Sequence, residues 1–210
     1  MRDDPHEIVR AGYDAMADQY AAWAASFESP VLQWVERFTA RVPEGVAVLE
    51  LGCGGDNPAT RVLADRYRYT GVDLSEAQLE RARLAFPEAT LLHGDATRLR
   101  FEPGSFDGVA SLFMLGHVAR AEQEPLLRKI LGWLRPGGYL LATMGTAGAD
   151  DEVEQDWLGV PMFFSSFGED ENRQLLERIG FELEEALVVP FEEPGHGQVR
   201  FMWLLARKTA

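Results

Sequence analysis

The sequence has little that would place the chain in a membrane or in an oxidising compartment. Cys53 is its only cysteine, so no disulfide can form within the chain, and we expect a reducing, cytoplasmic environment. No apolar run approaches the roughly 20 residues that span a bilayer. Residues 1–10 are polar and acidic and do not resemble a signal segment. We therefore expect no membrane partner.

Basic residues are outnumbered, and lysine is almost missing. The 210 residues include 20 basic and 34 acidic side chains, for a formal net charge of −14 at pH 7. Only Lys129 and Lys208 are lysines, and no dense basic run offsets the acidic excess. This balance argues against a nucleic-acid partner, because phosphate binding needs a concentrated basic surface. The length fits a single domain over residues 1–210, with enough apolar residues for a sizeable core.

Residues 46–55 contain the most informative local pattern of the sequence, a predicted strand followed by a glycine-rich turn. Residues 46–51 are β-branched and aliphatic and predict a short buried strand, and the glycine-rich residues 52–55 predict a turn. Asn57 suits the N-cap of a following helix, and Pro58 suits its first position. A strand, a bare turn and a helix N-terminus together predict a cradle in which a ligand touches backbone N–H groups.

Strand and helix patterns alternate along the rest of the chain. We predict N-terminal helices within residues 1–42, a core over 46–207, and a lid or acceptor segment over 150–168. The alternation indicates a mostly parallel sheet with right-handed crossovers and helices on both faces. The last two predicted strands, 181–190 and 199–206, are joined by a short turn. The predicted fold class is α/β: a doubly wound, Rossmann-like sheet of about seven strands, mostly parallel, with an antiparallel C-terminal hairpin.

Three acidic residues lie at or near predicted strand ends. Glu50 lies inside the first strand, two positions before Gly52. Asp73 ends the second strand about 20 residues after the glycine turn, where a carboxylate can accept hydrogen bonds from both hydroxyls of a ribose. Asp95 ends the third strand, beside the place where a nucleoside base would lie. Because open parallel sheets bind ligands beyond the carboxyl ends of their strands, these residues predict a nucleoside site.

Four short motifs follow one another along the chain. They are Glu50–Gly54 (ELGCG), Gly71–Ser75 (GVDLS), His93–Ala96 (HGDA) and Leu134–Gly138 (LRPGG). In this order and spacing they resemble the successive motifs of class I S-adenosylmethionine-dependent methyltransferases, over roughly residues 46–206. The resemblance implies a Rossmann-like fold and S-adenosylmethionine as the cofactor.

The resemblance also implies which residues bind the cofactor. Gly52, Cys53 and Gly54 would approach its methionine portion, and Glu50 belongs to the same motif. The other implied cofactor residues are Asp73 and Leu74 at the ribose and adenine, Asp95 and Ala96 at the adenine, Phe113 near the sulfonium, and Tyr20 on the N-terminal helix.

Position 56 departs from the family pattern, because Asp56 stands where a third glycine is usual. A carboxylate beside the cofactor's own carboxylate would be unfavourable unless it points away.

A nicotinamide cofactor is the alternative ligand for a glycine turn followed by a strand-end acid. That dehydrogenase pattern needs a glycine at position 57, which is Asn57. Asp95 and the antiparallel hairpin also favour the methyl donor.

Two histidines and one apolar stretch are candidates for the acceptor side. His117 follows the predicted fourth strand and is a candidate base or acceptor-orienting residue, and His196, in the predicted hairpin turn, is a second candidate. A solvated turn histidine is the alternative interpretation of His196. The apolar stretch 157–164 predicts a lid over the ligand edge, with core packing as the alternative. The predicted acceptor-pocket residues are Trp23, His117, Trp157, Met162 and Phe163.

The predicted activity is methyl transfer from S-adenosylmethionine to an oxygen or nitrogen atom of a small, partly apolar metabolite. Residues 106–113 lack the Asn/Asp-Pro-Pro-Tyr motif of methyltransferases that act on nucleobases or glutamine amides, which favours a small-molecule acceptor. The alternatives are a protein that binds the cofactor without transferring a methyl group, and an NAD-linked oxidoreductase.

Residues 150–154 are acidic without a nearby histidine or cysteine, so no metal site is predicted. The sequence specifies no oligomeric state.

Overall fold

The computed structural model describes residues 4–209, which form six α-helices and nine strands. The helices are α1 (Pro5–Ala24), α2 (Val31–Thr39), α3 (Pro58–Arg66), α4 (Glu76–Ala85), α5 (Arg120–Trp133) and α6 (Glu169–Ile179). The strands are β1 (Ala47–Leu51), β2 (Arg68–Asp73), β3 (Thr90–His93), β4 (Phe106–Ser111), β5 (Leu134–Gly145), β6 (Glu152–Trp157), β7 (Val160–Phe164), β8 (Phe181–Glu193) and β9 (Gly197–Lys208).

Seven of the strands form one sheet in the order β3-β2-β1-β4-β5-β9-β8. The first five run parallel, and the winding reverses between β1 and β4. β9 pairs antiparallel with both β5 and β8, which makes the C-terminal hairpin. The predicted fold class is confirmed. Since parallel strands end at a common edge, the residues that follow β1 to β4 meet at that edge, where such folds bind ligands.

Helices cover both faces of the sheet, so the central strands are buried on each side. Adjacent residues of a strand point to opposite faces. Leu49 of β1 belongs to the core formed with α5 and α6, which includes Leu126. Its neighbour Val48 belongs to the opposite core, formed with α2 and α3, which includes Phe38 and Leu63. This packing holds β1 rigid at the point from which the glycine turn departs.

The two helices α3 and α4, which start near the ligand edge of the sheet, each have an N-cap residue whose side chain makes a hydrogen bond. The Asn57 side chain accepts a hydrogen bond from Thr60 N at the start of α3, with Pro58 in the first position, as the sequence predicts. Ser75 accepts from Gln78 N at the start of α4. Each cap satisfies a backbone donor that a helix leaves unpaired in its first turn. The caps therefore fix where α3 and α4 begin.

Residues 150–168, predicted as a lid or acceptor segment, contain the hairpin β6–β7, which the sequence analysis did not identify as strands. Leu158 and Gly159 form its turn with positive φ angles of 51° and 85°. The hairpin packs against α1 instead of joining the main sheet. Gly12 permits this approach, because a Cβ there would lie 2.7 Å from Cε of Met162.

The boundary of β5 also differs from the expected one. The sequence places the strand start at Tyr139, after a turn, whereas β5 begins at Leu134, which pairs with Phe106 ahead of an irregular register. The division of the chain into a helical cap, a core and a lid stays a prediction. Within residues 4–209, no helix is both long enough and apolar enough to cross a membrane.

Candidate functional site

The glycine turn after β1 bends sharply toward the end of β2. Gly52 and Gly54 have φ angles of 70° and 61°, in the left-handed region that favours glycine. The N–H groups of Gly52 and Cys53 donate to the carbonyl oxygen of Val72, at 2.8 and 3.0 Å. These two N–H groups are therefore paired within the protein, and contact between a ligand and other backbone N–H groups of the cradle stays a prediction. The turn instead presents bare backbone, with no side chain in the way.

Asp73 joins the glycine turn to the start of α4. Its Oδ2 accepts from Gly54 N at 2.8 Å, and its Oδ1 accepts from Ser75 N at 2.9 Å. Burial raises the pKa of Asp73 and these backbone hydrogen bonds oppose the rise. Each carboxylate oxygen keeps a second lone pair, so Asp73 can still accept hydrogen bonds from a ligand.

Glu50 lies behind the turn and does not line the cavity at the ligand edge. It is 2% exposed, and its Oε2 accepts from the Tyr69 hydroxyl at 2.6 Å and the Thr60 hydroxyl at 2.9 Å. Burial raises the pKa of Glu50 to about 7. Cys53 is buried as well, and burial raises the pKa of its thiol, so it is a poor nucleophile. Both residues support the turn from the side away from the cavity.

Asp56 does not obstruct the site. Its side chain is exposed and pairs with Arg61 one turn into α3. It is absent from the residues that line the cavity. The carboxylate therefore lies outside the cavity.

A cavity that is partly open to solvent lies at the carboxyl ends of β1 to β4. Nine of the predicted site residues line it: Tyr20, Gly52, Gly54, Asp73, Leu74, Asp95, Ala96, Phe113 and His117. The structure thus gathers most predicted cofactor residues from three motifs and from α1, and their individual roles stay predictions.

Sequence reasoning missed the part of α1 that lines this cavity. His6, Val9 and Tyr13 join Tyr20 along one face of the helix. Their spacing follows the 3.6-residue period, which was the available signal, but it does not distinguish core from ligand contacts. Asp14 positions the helix, because its Oδ1 accepts from the Ser75 hydroxyl at 2.6 Å.

Asp95 lies at the far end of the cavity, among polar partners. Its Oδ1 accepts from Thr97 N at 2.8 Å, and its Oδ2 lies 3.0 Å from Arg98 Nε and 3.3 Å from His6 Nδ1. His6 also contacts Glu122 at 2.8 Å through Nε2. Asp95 is therefore fixed in place at the position predicted for a base.

His117 connects α1 to the hairpin β6–β7. Its Nδ1 lies 2.9 Å from the carbonyl oxygen of Phe163, and its Nε2 lies 2.9 Å from the Tyr13 hydroxyl. A carbonyl oxygen only accepts, so Nδ1 carries the proton and Nε2 accepts from Tyr13. Burial lowers the pKa of His117 to about 4, so the ring is neutral near pH 7.

Trp23 and Trp157, which were also predicted for the acceptor pocket, do not line the cavity and pack in an aromatic cluster beside it, together with Tyr20, which does line it. We define this ring cluster as Tyr20, Trp23, Trp157 and His196. Ring centroids lie 5.8 Å apart for Tyr20 and Trp23, 5.9 Å for Trp23 and Trp157, and 6.1 Å for Trp23 and His196. Met162 and Phe163 are buried core residues beneath the cluster, so their side chains lie outside the cavity.

Comparison with known proteins agrees with this geometry. A protein-family model described as "Methyltransferase domain" matches residues 49–142, which include the glycine turn, Asp73 and Asp95. This match supports a class I S-adenosylmethionine-dependent methyltransferase. S-adenosylmethionine is the cofactor of this family.

Proteins that are similar to this chain in sequence are named for different substrates. The chain is 30% identical over 178 residues to a 27-O-demethylrifamycin SV methyltransferase of Amycolatopsis mediterranei, covering 72% of this chain and 64% of the relative. It is 33% identical over 138 residues to a trans-aconitate 2-methyltransferase of Paracidovorax citrulli, covering 61% and 51%. The chain spans from about half to just under two thirds of the length of these relatives.

Solved structures of the family share the fold. The 1,6-didemethyltoxoflavin-N1-methyltransferase of Burkholderia thailandensis, crystallised with 1,6-didemethyltoxoflavin and S-adenosylhomocysteine, aligns with a TM-score of 0.75 at 21% identity. The alignment covers 100% of this chain and 92% of that one. At this identity the likeness supports the fold and no detail of the acceptor.

The residues present fit the cofactor of this family. A bare turn, a strand-end carboxylate and a second acid line one cavity. The Gln78 amide nitrogen is buried, has no hydrogen-bond partner among the described residues, and belongs to a side chain that lines the same cavity. An unpaired buried donor is costly unless a ligand or water satisfies it. Gln78 is therefore a further candidate for contact with the cofactor.

Gly52→Ala is expected to lower the affinity for S-adenosylhomocysteine by about ten-fold or more, because backbone strain adds to a steric conflict at the turn. An added Cβ would lie 2.7 Å from Cβ of Met114, which lines the cavity, and φ at this position is 70°. Calorimetric titration measures the affinity. Gly45→Ala is the matched control, since its φ is 75° but nothing lies within 4 Å of the added Cβ. Equal affinity of the two variants would contradict this prediction.

Proposed function

We propose that the protein transfers a methyl group from S-adenosylmethionine to an oxygen or nitrogen atom of a small, partly apolar molecule. One observation carries the proposal. The bare glycine turn, Asp73 and Asp95 line the same cavity as Phe113 and His117, which follow β4. Residues suited to an adenosyl group and residues suited to an acceptor thus share one space.

Relatives support a small-molecule acceptor. The names of the similar proteins specify a demethylrifamycin, trans-aconitate and 1,6-didemethyltoxoflavin as their substrates. The acidic net charge of −14 disfavours a nucleic acid as the acceptor. We also propose a cytoplasmic location, which is supported by the lack of any pair of cysteines.

The protein's part in such a reaction is to bind, orient and exclude water. The cofactor supplies a methyl group on a sulfonium, which is already activated toward a nucleophile. Asp73 would hold the ribose and the glycine turn would approach the methionine portion, while Phe113 lies just after the fourth strand ends. Side chains of α1 line the same space and reduce the access of water to it. Orientation in a closed site accounts for several kcal/mol of an activation barrier.

An acceptor hydroxyl or ammonium must lose a proton when it is methylated, and Tyr13 with His117 offers a path. Tyr13 donates to His117 Nε2, and both side chains line the cavity. As the Tyr13 oxygen takes a proton from the acceptor, its own proton moves to Nε2. The Phe163 carbonyl oxygen holds Nδ1–H, so the imidazole keeps the tautomer that this transfer needs.

His117→Ala is expected to lower kcat about a hundred-fold, the usual scale of acid–base assistance, while the affinity for S-adenosylhomocysteine stays unchanged. Tyr13→Phe removes only the hydroxyl and is expected to lower kcat in the same direction. Single-turnover rates with the acceptor found by screening, together with calorimetry, separate the two effects. Unchanged turnover of His117→Ala would remove this residue from the mechanism, and His196→Ala in the same assay tests the second candidate.

Two measurements test the proposed function. Calorimetry with S-adenosylmethionine and S-adenosylhomocysteine tests cofactor binding, and a panel of small oxygen and nitrogen nucleophiles is then screened for S-adenosylhomocysteine formation. Binding without product formation across the panel would favour a non-catalytic binding protein. Binding of NADH instead, detected by its fluorescence, would favour the oxidoreductase alternative. A folded sample that binds neither form of the methyl donor would refute the proposal.

A further inference from the structure

One carboxylate beside the ring cluster has no partner. Glu193 is the last residue of β8, at the turn that leads into β9. It is half-buried, and within residues 4–209 its carboxylate makes no hydrogen bond or ion pair. Glu184 and Glu185 of the same strand both pair with Arg41. Glu193 differs from these two carboxylates, because no basic side chain pairs with it.

The turn that carries Glu193 is docked on α1. Trp23 Nε1 donates to the carbonyl oxygen of Pro194 at 3.0 Å. The exposed His196 ring packs on Trp23 and on Trp157, with centroids 6.1 and 6.3 Å away. The ring cluster and the Glu193 turn thus form one surface, built from α1, the hairpin β6–β7 and the C-terminal hairpin.

This surface adjoins the cavity through Tyr20. Tyr20 lines the cavity, and its ring also packs on Trp23 and Trp157. Burial and then the Glu193 carboxylate raise the pKa of Tyr20 to about 12, which places the carboxylate within electrostatic reach of that hydroxyl.

A half-buried carboxylate whose neighbour Pro194 is hydrogen-bonded to Trp23 lies next to aromatic rings, and such a position favours a cation. Such a carboxylate is costly without a partner, and the faces of tryptophan and tyrosine rings attract positive charge. No arginine or lysine among the described residues supplies that charge at Glu193. Partial burial accordingly raises the pKa of Glu193 to about 7, and a bound cation would lower it again.

We propose that the methyl acceptor carries a protonated amino group, which Glu193 binds at the ring cluster of Tyr20, Trp23, Trp157 and His196. This inference rests on the proposed function, since it concerns the acceptor of the same site. It assigns Glu193 to substrate binding and leaves the methylated atom free to be an oxygen or a nitrogen elsewhere in the acceptor. Acidic acceptors are disfavoured by the same carboxylate.

Calorimetry with matched probes tests the assignment. The protein is first saturated with S-adenosylhomocysteine and then titrated with 2-phenylethylamine or with 2-phenylethanol, which differ in charge but little in shape. The unmodified chain is expected to bind the amine about ten-fold more tightly than the alcohol, and Glu193→Gln is expected to abolish this preference. Glu192→Gln is the matched control. Glu192 is an exposed residue of the same strand, and its substitution changes the charge by the same amount.

Each outcome has a definite meaning. No preference for the amine in the unmodified chain, including no detectable binding of the amine, overturns the assignment. A preference that persists in Glu193→Gln also overturns it. Failure of all three proteins to bind S-adenosylhomocysteine would instead count against the proposed function, so the two failures are distinguishable.

Discussion

Asp73→Ala is expected to lower the affinity for S-adenosylhomocysteine by at least about ten-fold, given the strength of charge-assisted hydrogen bonds. Two losses combine in this variant. The ribose hydroxyls would lose their acceptor, and the N–H groups of Gly54 and Ser75 lose theirs, at 2.8 and 2.9 Å. The glycine turn and the start of α4 would then no longer be held together. Isothermal calorimetry measures the change.

Asp56→Ala provides the control for this experiment. It removes a carboxylate from the same turn, but Asp56 is exposed and pairs with Arg61 outside the cavity. Its affinity for S-adenosylhomocysteine is expected to match that of the unmodified chain. If Asp73→Ala also retained full affinity, the assignment of Asp73 to the ribose would be incorrect.

Glu50→Gln is expected to increase stability above neutral pH. Burial raises the pKa of Glu50 from 4.5 to about 7, so the folded state holds a proton that the unfolded state releases. The contribution of Glu50 to the free energy of unfolding is therefore full below about pH 4.5 and is lost as pH rises to about 7. The loss amounts to roughly 3 kcal/mol. A glutamine has no charge to bury and can still accept from Tyr69.

Urea unfolding at several pH values between about 5 and 8 measures this effect. The difference in free energy of unfolding between Glu50→Gln and the unmodified chain is expected to grow with pH across that window. Glu80→Gln is the control, because Glu80 is an exposed residue of α4. A difference for Glu50→Gln that stays constant with pH would show that Glu50 keeps its ordinary pKa.

Much of the fold was predictable because its signals are local. Short aliphatic strands, the caps Asn57 and Ser75, and the alternation of elements each depend on neighbouring residues. The hairpin β6–β7 was missed because its strand β6 is mostly exposed and its turn contains Leu158 at positive φ, which no turn preference predicts. The apolar character of residues 157–164 was recognised, but not the pairing that uses it.

In the candidate site, too, some residues were predictable from local patterns and others were not. Gly52, Asp73 and Asp95 follow successive strands, and parallel pairing alone is enough to bring strand ends together. Glu50 and Cys53 share a motif with the turn, but alternation along β1 and the bend after it place them behind the cavity. Motif membership therefore predicted the neighbourhood of each residue better than its contacts.

The sequence alone determined the fold class, the resemblance to the family and the strand-end acids, since these depend on local patterns repeated in a fixed order. Only the tertiary structure decided which distant groups meet. Tyr13 and His117 are 104 positions apart and share a hydrogen bond, and Trp23 contacts Pro194 across 171 positions. Such contacts arise from how α1 and the two hairpins pack over the sheet edge. Periodicity in a segment indicates which of its faces is buried, but it does not identify the remote segment that covers this face.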